Sequence, residues 1–272
     1  MLPAGTLLQG RYVIVAHVGG GGMGSVYRAQ DQRLSIDVAV KEFVPPPGLS
    51  GPEMAQLQAQ FRQEATVLAR LNHPGVVSVS DFFEEGGRAF LVMNLVPGEN
   101  LAQLVARYGP LPEAEVVRLG GQLLEALAYC HGHGVLHRDI KPNNIIVLPD
   151  GAPVLVDFGL LKMWNPANPT TRTLLRGMGT PRYASPEHYG FAVGHTDARS
   201  DVYSVGATLY FALTAQEPPA ATDRIMQPEL MTPPQRVAPW LSADVAAVVT
   251  QALAIQRDAR FGSAAAMRAA LL

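Results

Sequence analysis

The sequence predicts an α+β protein of two lobes: a small, mainly β N-terminal lobe with one key helix, and a larger, mainly α-helical C-terminal lobe. Three observations lead there. Strand patterns fill the first stretch of the chain, helical periodicity takes over from Pro112, and 272 residues leave room for two closely packed lobes. We expect one domain over 1–272, with the lobes meeting near residue 96, so that 1–96 is the smaller and 97–272 the larger. Nearly half of the residues are hydrophobic (48%), enough for a sizeable core.

Arg11 to Val18 alternates apolar and polar residues, a glycine cluster follows, and Ser25 to Asp31 and Ile36 to Phe43 complete a run of strands. The connector Pro45 to Pro52 suits neither strand nor helix. Glu53 to Leu71 has helical periodicity, with Met54, Leu57, Phe61, Ala65, Leu68 and Leu71 as its apolar stripe. Val76 to Phe83 and Arg88 to Leu95 read as strands around Glu84-Glu85-Gly86-Gly87. In the helical half, Ile145 to Asp157 is expected as a hairpin, and the proline-rich stretch Glu217 to Trp240 as irregular or briefly helical.

The formal charge of −2 lacks the basic excess of a nucleic-acid binder, so no nucleic-acid partner is expected. The single cysteine, Cys130, cannot form an internal disulfide and suits a reducing compartment; it reads as a buried small hydrophobe. Met1 to Gly10 has no features of a signal peptide, and no apolar run approaches the ~18 residues of a membrane span. The expected location is the cytoplasm, either as a free protein or as the cytoplasmic domain of a longer membrane protein.

Four groups of residues carry chemistry. Gly19, Gly21 and Gly24 fit G-x-G-x-x-G, followed by Val26. Glycines let backbone N–H groups approach a phosphate closely, although a plain hairpin turn would use them too. Because a strand rather than a helix follows, the pattern fits a phosphate cover and not a dinucleotide fingerprint. In Val38-Ala39-Val40-Lys41, Ala39 and Lys41 share one strand face. Glu64 falls inside the apolar stripe of the next helix, where a carboxylate is costly unless paired, and Lys41 is the natural partner. The alternative places Glu64 at the stripe's edge, reaching water.

The third group is the hairpin. If Asp150-Gly151 is its two-residue turn, Asn144 lies opposite Asp157, close enough to share a magnesium-phosphate cluster; both could instead be loop-capping residues. The fourth, His137-Arg138-Asp139-Ile140-Lys141-Pro142-Asn143-Asn144, fits H-R-D-x-x-x-x-N. Four fixed residues occur by chance on the order of 10⁻⁵ per position. Asp139 can take a proton from an incoming hydroxyl, and Lys141 can neutralise charge on a transferred phosphoryl group.

With Asp157-Phe158-Gly159 and Ser185-Pro186-Glu187 in order behind these motifs, the chain resembles the eukaryotic-like serine/threonine protein kinases, especially those of bacteria, from about Tyr12 to Leu271. The resemblance implies the two-lobed protein kinase fold and transfer of the ATP γ-phosphate to Ser or Thr hydroxyls of proteins, with Mg²⁺ or alternatively Mn²⁺. It implies that Lys41 holds the α/β-phosphates and pairs with Glu64, that Asp139 is the base, and that Asn144 and Asp157 hold the metal. Val18, Gly19, Gly21 and Gly24 would line the nucleotide, and Val26, Ala39 and Ile146 would enclose the adenine. Met93 would be the gatekeeper, with the backbone of Asn94 and Val96 at the adenine edge. Phe158, His137, Leu68 and Val79 would form a stack, Asp201 would brace the catalytic loop, and Arg260 would pair with Glu187. The segment Gly179-Thr180 to Glu187 looks like a platform for protein substrates.

Three positions depart from the family pattern: Asn94 for Glu, Ser185 for Ala, and Gln256-Arg257 for Asp-Pro. Two other functions compete: a pseudokinase-type ATP-binding scaffold, and a small-molecule phosphotransferase. Retention of Lys41, Asp139 and Asp157 argues against the first; Lys141 and the substrate platform argue against the second. Autophosphorylation is expected on Thr171 or Thr173, in a polar segment that Arg138 would receive once phosphorylated. Self-association for trans-autophosphorylation is compatible with this, and a merely solvated loop is the alternative.

Overall fold

The computed structural model describes residues 1–21, 24–44, 50–158, 181–189 and 196–272; within the first helix it does not describe the side chains of Glu53, Gln56, Gln60 and Glu64. The chain gathers into two compact units, Met1–Asn72 with Val77–Val96, and His73–Val76 with Pro97–Leu272.

The first unit holds β1 (Leu7–Leu8), β2 (Tyr12–Gly21), β3 (Gly24–Asp31), β4 (Ile36–Phe43), α1 (Gly51–Leu68), β5 (Val79–Glu85) and β6 (Arg88–Asn94). The strands form one antiparallel sheet in the order β1-β2-β3-β4-β6-β5. Period-two alternation sorts its side chains. Tyr27, Ala29, Val38, Val40, Phe90 and Val92 join Leu8, Tyr12, Ile14 and Phe83 in a core on one face. Cross-strand register puts Val26 and Leu91 opposite Lys41, and Met93 opposite Ala39, on the other face.

At the start of β3 only glycine fits. Gly24 has φ +149°, and a Cβ there would collide with the carbonyl oxygen of Glu42. α1 begins two residues before the sequence expectation, at Gly51-Pro52. Proline is accepted in the first turn because its missing N–H would have no intrahelical partner. Residues 45–49 of the expected connector lie outside the described residues. Leu57, Phe61, Ala65 and Leu68 are buried on the helix face that packs toward β5, with the Phe61 ring stacked on Phe43 at 4.9 Å. β5 starts at Val79 rather than Val76, since Val76 makes a separate parallel bridge to Leu155 in the second unit.

The second unit contains β7 (Glu99–Asn100), α2 (Leu101–Tyr108), α3 (Glu113–Gly132), β8 (Ile145–Val147), β9 (Pro153–Leu155), α4 (Ala198–Thr214), α5 (Ala221–Met226), α6 (Pro234–Val237), α7 (Ala243–Ala252) and α8 (Ala264–Leu271). α4 is the central post. Every residue from Ser200 to Tyr210 is buried, as a helix surrounded by protein on all sides must be. Its interior hydroxyls are satisfied by donating one turn back, Ser204 to the carbonyl of Ser200 and Thr208 to that of Ser204. α3 packs against α4 and α8 and carries Cys130, which is fully buried.

The hairpin corrects one expectation. β8 pairs with β9 as Ile145 with Leu155 and Val147 with Pro153, so Asn144 lies opposite Val156, whose N–H donates to the Asn144 carbonyl at 3.0 Å, and not opposite Asp157. The loop holds three residues rather than two. Pro149-Asp150 make the turn and Gly151, at φ +82°, returns the chain, with the Leu148 N–H donating to the Ala152 carbonyl at 2.9 Å. Asp157 is therefore one step beyond the last pair, and its own φ of +57° sets its direction.

Candidate active site

The catalytic-loop residues hang from one buried carboxylate. Asp201, in the first turn of α4, accepts the His137 N–H on Oδ2 at 2.9 Å and the Arg138 N–H on Oδ1 at 2.8 Å. His131, in the last turn of α3, places Nε2 2.8 Å from the same Oδ2. Burial alone would push this carboxyl up. The hydrogen bond and charge of His131, the nearby His137 and the Arg138 N–H outweigh it and hold the pKa at about 2. Arg138 takes φ +62°, uncommon for a side-chain-bearing residue, and the two N–H groups bound by Asp201 lie just before its Cα.

His137 is fully buried, and burial lowers its pKa, which keeps the ring neutral. Nδ1 accepts the Asp139 N–H at 3.3 Å, so the proton belongs on Nε2, which faces the Val156 carbonyl at 3.2 Å. The ring lies 4.4 Å from that of Phe158. In the other unit, Leu68 is buried and Val79 partly so.

Asp139 is gripped on one oxygen. Lys141 Nζ donates to its Oδ2 at 2.8 Å, and Asn144 Nδ2 donates to the same atom at 2.9 Å and to the Asp139 carbonyl at 2.8 Å. Oδ1 has no donor among the described residues. The 3₁₀ turn Pro142–Asn144 positions the buried Asn144, whose NH₂ is engaged by Asp139. No cluster of three or more His, Cys, Asp or Glu that could hold a metal occurs among the described residues. One amide oxygen and the carboxylate of Asp157 nevertheless fit Mg²⁺, which brings phosphate oxygens and waters as its other ligands.

In the first unit, Lys41 sits among apolar neighbours on its strand face, Val26 and Leu91 opposite it and Ala39 beside it, and an Arg28–Asp37 ion pair closes the far end of that face. Lys41 is 7% exposed, with Ala39 and Met93 also buried and Val26 partly buried. The exposed Asn94 donates its backbone N–H to the Ser78 carbonyl at 3.0 Å. Val96 is partly buried, as is Ile146 in the second unit, whereas Val18 is exposed. Gly19 and Gly21 lie at the end of β2. The Glu64 side chain, Gly159, Thr171, Thr173 and Thr180 lie outside the described residues.

At the end of the segment 181–187, Arg260 Nη2 lies 3.0 Å from Glu187 Oε1 with both side chains buried, and the guanidinium stacks 5.0 Å over Tyr203. Two departures find physical answers here. The Ser185 hydroxyl bonds His188 Nδ1 at 2.9 Å, and Arg257 places Nη1 3.4 Å from Asp197 Oδ2, at the residue that caps α4. The residue missed by sequence reasoning is His131. It reads as the polar end of an apolar helix, and its partner lies 70 residues downstream, beyond the reach of any local spacing.

This fold and site define a phosphotransferase of the kinase type, and the chain belongs to the protein kinase family: the model of the protein kinase domain matches residues 12–271. It is a serine/threonine protein kinase catalytic domain of the bacterial type. The serine/threonine-protein kinase PknL of Mycobacterium tuberculosis is 40% identical over 225 residues, which cover 80% of this chain and 54% of that protein. PknB of Mycolicibacterium smegmatis is 38% identical over 97% of this chain and 43% of its own length, and PknA of Mycobacterium tuberculosis 38% over 89% and 56%. The chain thus spans about half the length of the curated relatives it matches. Members of the family use ATP and Mg²⁺. Among the described residues, no helix is long and apolar enough to cross a membrane.

Proposed function

We propose that the chain phosphorylates Ser and Thr residues of proteins, and that Asp139 is its general base. The observation that carries this is the grip on Asp139: Lys141 and Asn144 share Oδ2, and Asp201 pins the backbone on which the aspartate sits. With Oδ2 engaged, Oδ1 takes the proton of the acceptor hydroxyl as its oxygen attacks phosphorus. Lys141, 2.8 Å from Asp139, offsets charge on the transferred group. Asn144 and Asp157 would hold Mg²⁺, which when bound screens the phosphates of ATP. Lys41 would orient the α/β-phosphates, with Glu64 as its partner, and Val18, Gly19, Gly21 and Gly24 would line the nucleotide. On the first unit Val26, Ala39, Met93, Asn94 and Val96 would contact the adenine; Ile146 is the adenine contact proposed for the second unit.

Autophosphorylation on Thr171 or Thr173, in trans between two copies, and a cytoplasmic location belong to the same reading. Mass spectrometry of the protein after incubation with Mg·ATP tests it, with Asp139→Asn as control. Phosphate on Thr171 or Thr173 in the wild type and none in the variant is expected. Absence of phosphoryl transfer to the chain itself and to Ser/Thr peptides would overturn the reading.

A further inference from the structure

Beside the segment 181–187, an acidic side chain from just after α4, Glu217, is held by one anchored group and covered by one exposed group. Tyr183 is buried, its ring set edge-on against Phe211 of α4 at 6.4 Å, and its hydroxyl donates to Glu217 Oε1 at 3.3 Å. Burial pushes that hydroxyl's pKa up, so it remains a donor at any working pH. The backbone of Glu217 is fixed on both sides. Thr214 Oγ1 accepts the Gln216 N–H at 3.1 Å just before it, and Pro218-Pro219 follow. Arg182 closes the arrangement with Nε 3.1 Å from Glu217 Oε2, the two side chains being 50% and 45% exposed. Arg182 makes no other ion pair among the described residues.

We propose that Glu217 selects substrates with a basic residue near the acceptor Ser or Thr, and that Arg182 occupies its carboxylate until such a residue replaces it. The proposal rests on reading the segment that ends at Glu187 as the platform for protein substrates. An incoming arginine or lysine exchanges one cation for another, so the carboxylate never loses its partner and no charge is left uncompensated. A neutral residue offers no replacement, and an acidic one meets Glu217 as a like charge. Tyr183 keeps the carboxylate aimed while Arg182 is away. Since an exposed ion pair is a modest interaction, the preference should be about two- to five-fold in kcat/KM rather than absolute.

The test uses the whole chain and threonine acceptor peptides that differ only in carrying Arg, Ala or Glu at each flanking position in turn. The wild type should favour Arg over Ala about two- to five-fold at one position. In Glu217→Gln that ratio should fall to about one, and Glu217→Asp should return part of it. Arg182→Ala should keep the preference or enlarge it, because the competitor is gone. An Arg:Ala ratio unchanged in Glu217→Gln overturns the proposal. So does a wild-type preference for Glu that disappears in Arg182→Ala, which would make Arg182 the anion-binding element. If the wild type phosphorylates none of the peptides and not itself, the kinase reading fails along with the proposal; if it phosphorylates all of them equally, only the selectivity fails.

Discussion

Asp139 and Asp201 are both aspartates of the catalytic region, yet their partners give them opposite tasks. Asp139 keeps one oxygen without a donor among the described residues, whereas Asp201 has both oxygens engaged. Asp139→Asn should therefore lower kcat by about 10² or more with little change in ATP affinity, since a base acts in the transition state. Steady-state kinetics with ATP varied would check this, and an equal loss through the KM for ATP would contradict it. Asp201→Asn replaces an acceptor oxygen by an NH₂ that faces a backbone N–H. A cost of about 2–4 kcal/mol in urea unfolding is expected. His137-Arg138-Asp139 was legible as a motif, and the role of Asp139 could be argued from it. What holds the motif was partly hidden, because His131 meets Asp201 through folding and not through spacing.

Among the elements, β4 was read to its ends, and β3 and β6 to within a residue. Errors fell where a local rule had two outcomes. Asp150-Gly151 suits a two-residue turn, but Pro149 sets up a type I turn before it, and Gly151 then serves as the left-handed return residue of a three-residue loop. The slip of one place moved Asp157 out of the ladder, which matters because neighbouring strand positions face opposite ways. Likewise Pro52 looked like a stop and is instead a first-turn residue of α1. Gly151→Ala places a Cβ at φ +82° and against the Arg118 guanidinium. A loss of about 1 kcal/mol is expected by chemical denaturation. A neutral or stabilising effect would count against this account of the turn.

For the whole molecule, each unit stakes part of its stability on one buried aspartate. Arg11 is the main cause that lowers Asp31 to about 2 in the first unit, and Asp201 is held at about 2 in the second. Both values lie below the ordinary carboxylate value of about 3.9. The stabilisation is therefore fully present above pH ~4 and is lost as the pH falls toward ~2. For Asp201 this amounts to roughly 2 kcal/mol. Urea midpoints measured from pH 5 to 2, at about half-unit steps, should fall through that window. The Asp201→Asn variant should show a shallower decline; an unchanged slope would mean that other groups govern acid unfolding.

Cys130 has a consequence of a different kind. It is the chain's single thiol, it is shut inside α3's buried face, and burial pushes its pKa up to about 12. A reagent that attacks thiolates meets nothing while the helices are closed. Modification can then proceed only through openings of the second unit, and its rate becomes a stopwatch for them. The protein thus carries its own single-site probe, with no engineered label and no competing signal. Timed alkylation with and without a nucleotide analogue would report how firmly a bound ligand holds the helical unit shut.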